Sequence, residues 1–290
     1  MKTISIKAIM ASAAGSSAPQ AERVGKGMAN RSVFEFRHRM GSRGRAGLGI
    51  AAWLFLLGAW QAVSVFELAD PTLFPSPAKV FHAWITLFAE REFGADVFQS
   101  LRRIFVSFGI AVAIALPLGI FMGAFAPVEG FLNALVSPFR YLPAPSFVPL
   151  LLMWLGTGDS QKIALLVIGV VFFLITLFMD NTKSVPIELV ECSRTLGAGR
   201  MRVLRKVLLP AAMPLYVDTA RQMLAVSWTY LVIAEIVAAT DGIGAMMMRA
   251  KRFVQVDSIM AGILTIGLLG LICDLLIRAI HKRAFRYLSE

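Results

Sequence analysis

VPIELVECSRTLGAGRMRVLRKVLLP, residues 185–210, lies between two long apolar runs and decides how the chain is read. The stretch is too polar and too long for a minimal connection, and it carries helical patterning of its own. Ser184 and Pro186 stand in the order in which helices begin, and Glu188 follows in the early turns, where the helix dipole favours an anion. Gly197 is placed to end this helix, because glycine adopts the left-handed conformation that a helix stop requires. A second helix is expected from about Gly199 to Leu208, with Arg202, Arg205 and Lys206 on a polar side and Leu204, Val207 and Leu208 opposite, and Pro210 closes the unit. The result is a helix-turn-helix elbow of a shape able to dock into a groove on a soluble partner.

Around the elbow the chain is apolar. Of its 290 residues 57% are hydrophobic and 16% charged, well below the roughly 25% charged residues of a soluble domain. Crossing about 30 Å of hydrocarbon takes ~20 apolar residues, and runs near that length recur from Leu48 onward, so about six crossings fit. They are Leu48 to Phe66, Ile104 to about Val128, Phe131 to Gly156, Ile163 to Met179, about Ala212 to Ala239, and Ser258 to about Ile280. The third holds Pro138, Pro143, Pro145 and Pro149 around Arg140, so it is a broken helix that faces protein or a water-filled cavity. Gly119 and Gly123 in the second are spaced for close helix approach or are an incidental pair.

The net charge of +11 falls mostly beside apolar runs, as the positive-inside rule requires of a membrane protein, which argues against nucleic-acid binding. Residues 1–46 are basic and rich in Ser, Gly and Ala, and read as a disordered cytoplasmic tail; the stretch from Ala8 to Ala18 lacks the sustained apolar core of a signal peptide. The tail, the basic elbow and the C-terminal end at His281, Lys282 and Arg283 are thereby placed together in the cytoplasm. Residues 67–99, with Pro71, Pro75 and Pro77, form an outside loop. Arg102 and Arg103, and again Arg249, Lys251 and Arg252, run against the charge rule. The domains expected are the tail (1–46), the first crossing with its outer loop (47–93), a membrane core (94–283) and a short cytoplasmic tail (284–290).

Enzymatic chemistry finds no support. The histidines, His38, His82 and His281, all lie outside the interior of a crossing, there is no G-x-S-x-G, and no G-x-x-x-x-G-K-[ST] is present to hold ATP. Cys192 and Cys273 show no metal-ligand spacing and read as reduced packing residues, so neither cofactor nor metal is expected. Charges inside crossings mark pathways or structural pairs. Arg140, Asp218, Arg221, Glu235 and Asp274 are the candidates, with Arg221 and Asp274 able to pair between two helices and Arg140 suited either to a structural role or to a passing anion. Trp228 and Tyr230 suit packing or an interface better than a substrate cage. An ion-coupled secondary transporter also accommodates broken helices and membrane charges, but the inverted repeats that favour it are not evident.

Glu191-Cys192-Ser193, Gly197 and Val207-Leu208-Leu209-Pro210 resemble the E-A-A, G and I-x-L-P pattern of the EAA loop in permease subunits of binding-protein-dependent ABC importers, with Cys192, Ser193 and Val207 as departures. Arg140-Tyr-Leu-Pro143, Pro149-Leu150, Trp154, Gly156, Gly158 and Lys162 resemble the taurine, sulfonate and nitrate branch, with Gln161 where that pattern has Ser; Ser100-Leu101-x-Arg103, Ala234-Glu235 and Gly242-x-Gly244 add to it. The likeness covers roughly residues 95–285. It implies an all-α, polytopic type I importer domain in the cell inner membrane, working as a homodimer with two ATPase subunits and an extracytoplasmic solute-binding protein. The elbow would be the coupling helix. Glu191 and Gly197 would carry the coupling, and Cys192, Ser193, Thr195 and Ala198 would line the contact. From the residues alone, Glu191 reads first as a solvated helix position.

Overall fold

The computed structural model describes residues 41–90, 92–237 and 240–286. Most of the expected tail, including its Ala8–Ala18 stretch, the end of the fifth crossing at Ala238 and Ala239, and residues 287–290 lie outside it. Eleven α-helices carry the described residues: α1 (Ser42–Val65), α2 (Pro77–Glu90), α3 (Phe93–Ala124), α4 (Ala126–Phe139), α5 (Val148–Leu155), α6 (Asp159–Lys183), α7 (Ile187–Thr195), α8 (Arg200–Val203), α9 (Leu209–Val237), α10 (Ile243–Arg252) and α11 (Val256–Ala284). No strand occurs among these residues.

Four of these helices, α1, α3, α6 and α11, are long and apolar enough to cross a membrane. The expected fifth crossing corresponds to α9, which has the length but carries Asp218, Arg221 and Glu235. The third is divided into α4, a 3-10 turn at Ala144–Phe147 and α5; the break between α4 and the turn falls at Pro143, in extended conformation, whereas Pro138 lies within α4 and Pro149 in the first turn of α5, where a missing donor costs nothing. Helix α1 exposes Leu48, Trp53, Leu54 and Phe55. From Phe55 onward the chain forms a second compact unit.

That unit is built around α6, which packs along α3 and α9. The glycine pair explains the α3 contact. A Cβ on Gly119 would stand 2.6 Å from the Cβ of Phe178 and 2.7 Å from the carbonyl oxygen of Ile175, and one on Gly123 would collide with Thr182. Only hydrogen at these positions lets the two backbones meet. Gly169 likewise leaves room for the Tyr230 ring, 2.7 Å from where its Cβ would be, so Tyr230 is a packing residue between α6 and α9. Phe178, Leu174, Met122 and Tyr216 fill the core beside the glycine pair. Trp228 is buried with Leu165, Leu231 and Cys273 in a neighbouring cluster.

Three local readings are revised. The second crossing begins at Phe93 instead of Ile104, so Arg102 and Arg103 lie within a helix. The loop expected over residues 67–99 contains α2, whose Pro77 opens the helix where a missing N–H costs nothing, behind a Ser76 hydroxyl that accepts from the Lys79 N–H at 3.4 Å. Pro210 does not close the elbow. The helix passes through it by a π turn at Leu204–Leu208, in which the Leu209 N–H donates to the Leu204 carbonyl, and the wider turn accommodates a proline ring that would otherwise press on the carbonyl four residues earlier.

Candidate functional site

The elbow begins where α6 ends. The Ser184 hydroxyl donates to the Asn181 carbonyl at 2.8 Å, and Pro186, in extended conformation, starts α7. Glu188 occupies the first turn and Arg194 the last, each at the helix end whose partial charge it complements. Gly197, at φ 82°, stops the helix: its N–H donates to the Arg194 carbonyl at 2.9 Å and the Ala198 N–H to the Ser193 carbonyl at 3.0 Å. No residue of α7 is buried. Glu191, Cys192 and Thr195 are exposed, Ser193 and Ala198 half-buried. The Ser193 and Thr195 hydroxyls donate to the carbonyls of Leu189 and Glu191, so these two present their carbon skeletons outward. Leu196, 83% exposed beside the glycine stop, and Ile187, Leu189 and Met201 give the elbow an apolar outer surface. Buried Val185, Val203 and Leu204 root it in the helices below.

Of the intramembrane charges, Arg221 reaches Asp274 across α9 and α11, as the pairing expectation has it, and also donates from Nη2 to Asp218 at 2.7 Å. Arg278 donates to the second oxygen of Asp274 at 2.9 Å. Arg140 stands apart from these carboxylates. Its Nη2 donates to the Ser137 hydroxyl at 3.2 Å, its guanidinium carbon lies 6.0 Å from the Tyr141 ring centre, and it forms no salt bridge among the described residues.

Glu235 belongs to a separate, buried network at the opposite end of the unit from the elbow. Arg103, wholly buried on α3, donates from Nη1 to Glu235 at 2.9 Å and from Nη2 to Asp241 at 2.6 Å, and its Nε reaches Asp159 at 2.7 Å. Lys162, also buried, donates to Asp241 at 3.0 Å and to the Thr240 hydroxyl at 2.8 Å. Glu235 further accepts from the Ser100 hydroxyl at 2.8 Å and the Gly244 N–H at 2.9 Å. Asp96 accepts the Gly242 N–H at 2.7 Å and pairs with Arg249, while Arg102 pairs with Asp159. Gly242 is held at φ 100°, and a side chain there would strike the Glu235 carboxylate. Burial raises the pKa of Asp241, but hydrogen bonds from Thr240, Lys162 and Arg103 and the Arg103 charge outweigh it, so this loop carboxyl is held well below the usual range.

The network holds four cations, Arg102, Arg103, Lys162 and Arg249, against four carboxylates, Asp96, Asp159, Glu235 and Asp241. Sequence reasoning singled out Glu235 alone. Arg103, Lys162, Ser100 and the two glycines stood in the resemblance without a role, and the exception to the charge rule at Arg102, Arg103 and Arg249 was the overlooked sign of it. Carboxylates from other elements neutralise those charges, so a rule that counts loop charges does not apply to them.

Long apolar helices, a broken crossing and a protruding elbow between two of them define a multi-pass membrane transport subunit. The chain belongs to the family of binding-protein-dependent transport system inner membrane components, whose model matches residues 115–286. It is therefore a transport permease of the ABC importer type and not an enzyme. It is 32% identical over 241 residues to the taurine transport system permease protein TauC of Escherichia coli, covering 81% of this chain and 88% of that one. The putative aliphatic sulfonates transport permease SsuC of Escherichia coli is 28% identical over 83% of this chain and 92% of its own. In fold it is similar to the inward-facing MetNI methionine ABC transporter, with a TM-score of 0.59 at 24% identity over 65% of this chain and 94% of that one.

Proposed function

We propose that this permease imports a small organic or inorganic anion of the sulfonate, taurine, nitrate or bicarbonate kind, delivered by an extracytoplasmic solute-binding protein and driven by two ATPase subunits. Two copies of the chain form the pathway, and both the elbow and the chain ends face the cytoplasm. The observation that carries the coupling role is the elbow itself: a short helix without a buried residue, stopped at Gly197 and exposing Leu196 beside the stop. Such an element transmits force rigidly while offering an apolar surface to a cleft. Glu191, Cys192 and Thr195 lie on its exposed surface with Ser193 half-buried among them, Gly197 and Ala198 follow its end, and Pro210 lies past the π turn that joins it to α9. The anion class rests on the likeness to taurine and sulfonate permeases.

The test is uptake in proteoliposomes holding the permease with its ATPase and supplied with the solute-binding protein. Gly197→Pro, which cannot adopt φ 82°, and Glu191→Lys are expected to leave the protein in the membrane while abolishing ATP-driven uptake. Unchanged uptake in both, or uptake driven by an ion gradient without the ATPase, overturns the reading.

A further inference from the structure

The polar side chains of α4 are Glu129, Asn133 and Ser137, at every fourth position of an otherwise apolar helix. That spacing sets them on one face, and Arg140, three residues beyond Ser137, continues it. Glu129 pairs with Lys183 at the elbow end of α6, so the polar stripe runs inward from that end to Arg140. Its inner limit is at mid-depth: Phe139 stacks on Phe172, ring centres 5.0 Å apart, close to the middle of α6. There the backbone leaves the helix. Pro143 and Pro145 have no N–H to donate, and turn bonds from the Tyr141, Leu142 and Ser146 N–H groups take the place of the helical ladder. Tyr141 is 80% exposed, and Ser146 is exposed as well.

Irregular backbone at that depth is tolerated only against protein or a water-filled cavity, because hydrocarbon satisfies none of the freed groups. An arginine carries the same requirement. Arg103 on α3, Lys162 on α6 and Arg221 on α9 meet it with carboxylates. Arg140 does not: among the described residues its guanidinium donates to the Ser137 hydroxyl one turn back, and its buried Nε finds no acceptor. A structural arginine ties two elements together, whereas this one is bonded only within its own turn. We propose that the stripe borders a water-filled path, and that Arg140 binds the permeating oxyanion midway along it and turns cations away. The proposal takes the anionic cargo from the importer reading. A guanidinium fork fits two oxygens of one sulfonate, nitrate or bicarbonate, and Asn133 and Ser137 continue the polar lining toward the elbow end.

The test is made on the assembled permease and ATPase in nanodiscs, with Tyr141→Cys or Asn133→Cys and the native chain as the blank for Cys192 and Cys273. Two methanethiosulfonate reagents are compared, one bearing a sulfonate and the other a trimethylammonium group. Both positions are expected to react. Relative to a free thiol, the sulfonate reagent should react about tenfold faster than the cationic one at Tyr141→Cys, a preference that shrinks with added salt. Adding Arg140→Gln should abolish the preference and Arg140→Lys retain it. Replacing chloride by methanesulfonate at constant ionic strength should slow the labelling at least twofold, since an oxyanion seated on Arg140 shields its neighbour. Lack of reaction at both cysteines overturns the path. Equal rates beside native Arg140, a preference that survives Arg140→Gln, or indifference to methanesulfonate overturns the binding role; the first of these is the result of a second copy's carboxylate neutralising Arg140. If Arg140→Gln does not assemble, the rates beside native Arg140 and Arg140→Lys still decide. None of these outcomes alters the ATP dependence of uptake, on which the importer reading stands or falls by itself.

Discussion

Arg103 has no access to solvent, and its charge is tolerated because Glu235, Asp159 and Asp241 surround it. Breaking a buried pair by removing one partner is far worse than replacing both, since it strands an uncompensated charge. Arg103→Ala is therefore expected to destabilise the permease by about 3–5 kcal/mol, and Arg103→Leu with Glu235→Leu to recover much of that loss, as read by thermal unfolding in nanodiscs. At Asp241 the sign of the pH effect follows from its depressed pKa. Stability from a carboxyl held below its unfolded value is complete above that value, about 3.9, and is lost as pH falls through the folded one. The unfolding midpoint should thus hold from neutral pH to about pH 4 and drop below it, and Asp241→Asn should lower it at neutral pH and flatten the acid limb.

At the scale of elements, the contact of α3 with α6 depends on two missing side chains. Gly119→Leu would place a Cβ against the Ile175 carbonyl and Phe178, atoms that cannot yield without parting the helices. A loss of roughly 1–3 kcal/mol is expected by chemical unfolding. Gly109 is on the same helix with open space around its Cβ position, so Gly109→Ala should be neutral or stabilising by up to about 1 kcal/mol. Equal effects at both positions would dismiss the close approach as the reason for Gly119. Between α9 and α11, exchanging Arg221 and Asp274 keeps the contact between the helices but sets an aspartate beside Asp218 and an arginine beside Arg278, so it is expected to restore only part of the folded yield that either single neutralisation loses.

At the scale of the whole unit from Phe55 onward, its two ends are chemically different. One bears the exposed elbow with its basic second half, the other a charge-balanced buried network beneath the basic turn at Lys251 and Arg252. Cys192 is exposed on the elbow and Cys273 is buried, so the native cysteines already report orientation. A membrane-impermeant maleimide is expected to label Cys192 in inverted vesicles and not in right-side-out ones; labelling of intact spheroplasts would reverse the orientation proposed above.

Much of this architecture was legible in the chain itself, for reasons local to it. Apolar length marks a crossing because hydrocarbon offers the backbone no partner, the cluster of prolines around Arg140 marks a broken crossing because each lacks a donor, and Gly197 marks a helix stop because glycine takes up the left-handed conformation without strain. The class of protein follows from such local facts together with the spacing of the elbow. What the fold alone decided were contacts between elements distant in sequence. Arg103 finds Glu235 across 132 residues and Arg249 finds Asp96 across 153, so charges that violated the loop rule one by one cancel when helices converge. The continuation of a helix through Pro210 and the helices in the outer loops were hidden for the same reason: a proline or a run of charge fixes only its own turn, and whether that turn ends an element depends on what packs beside it.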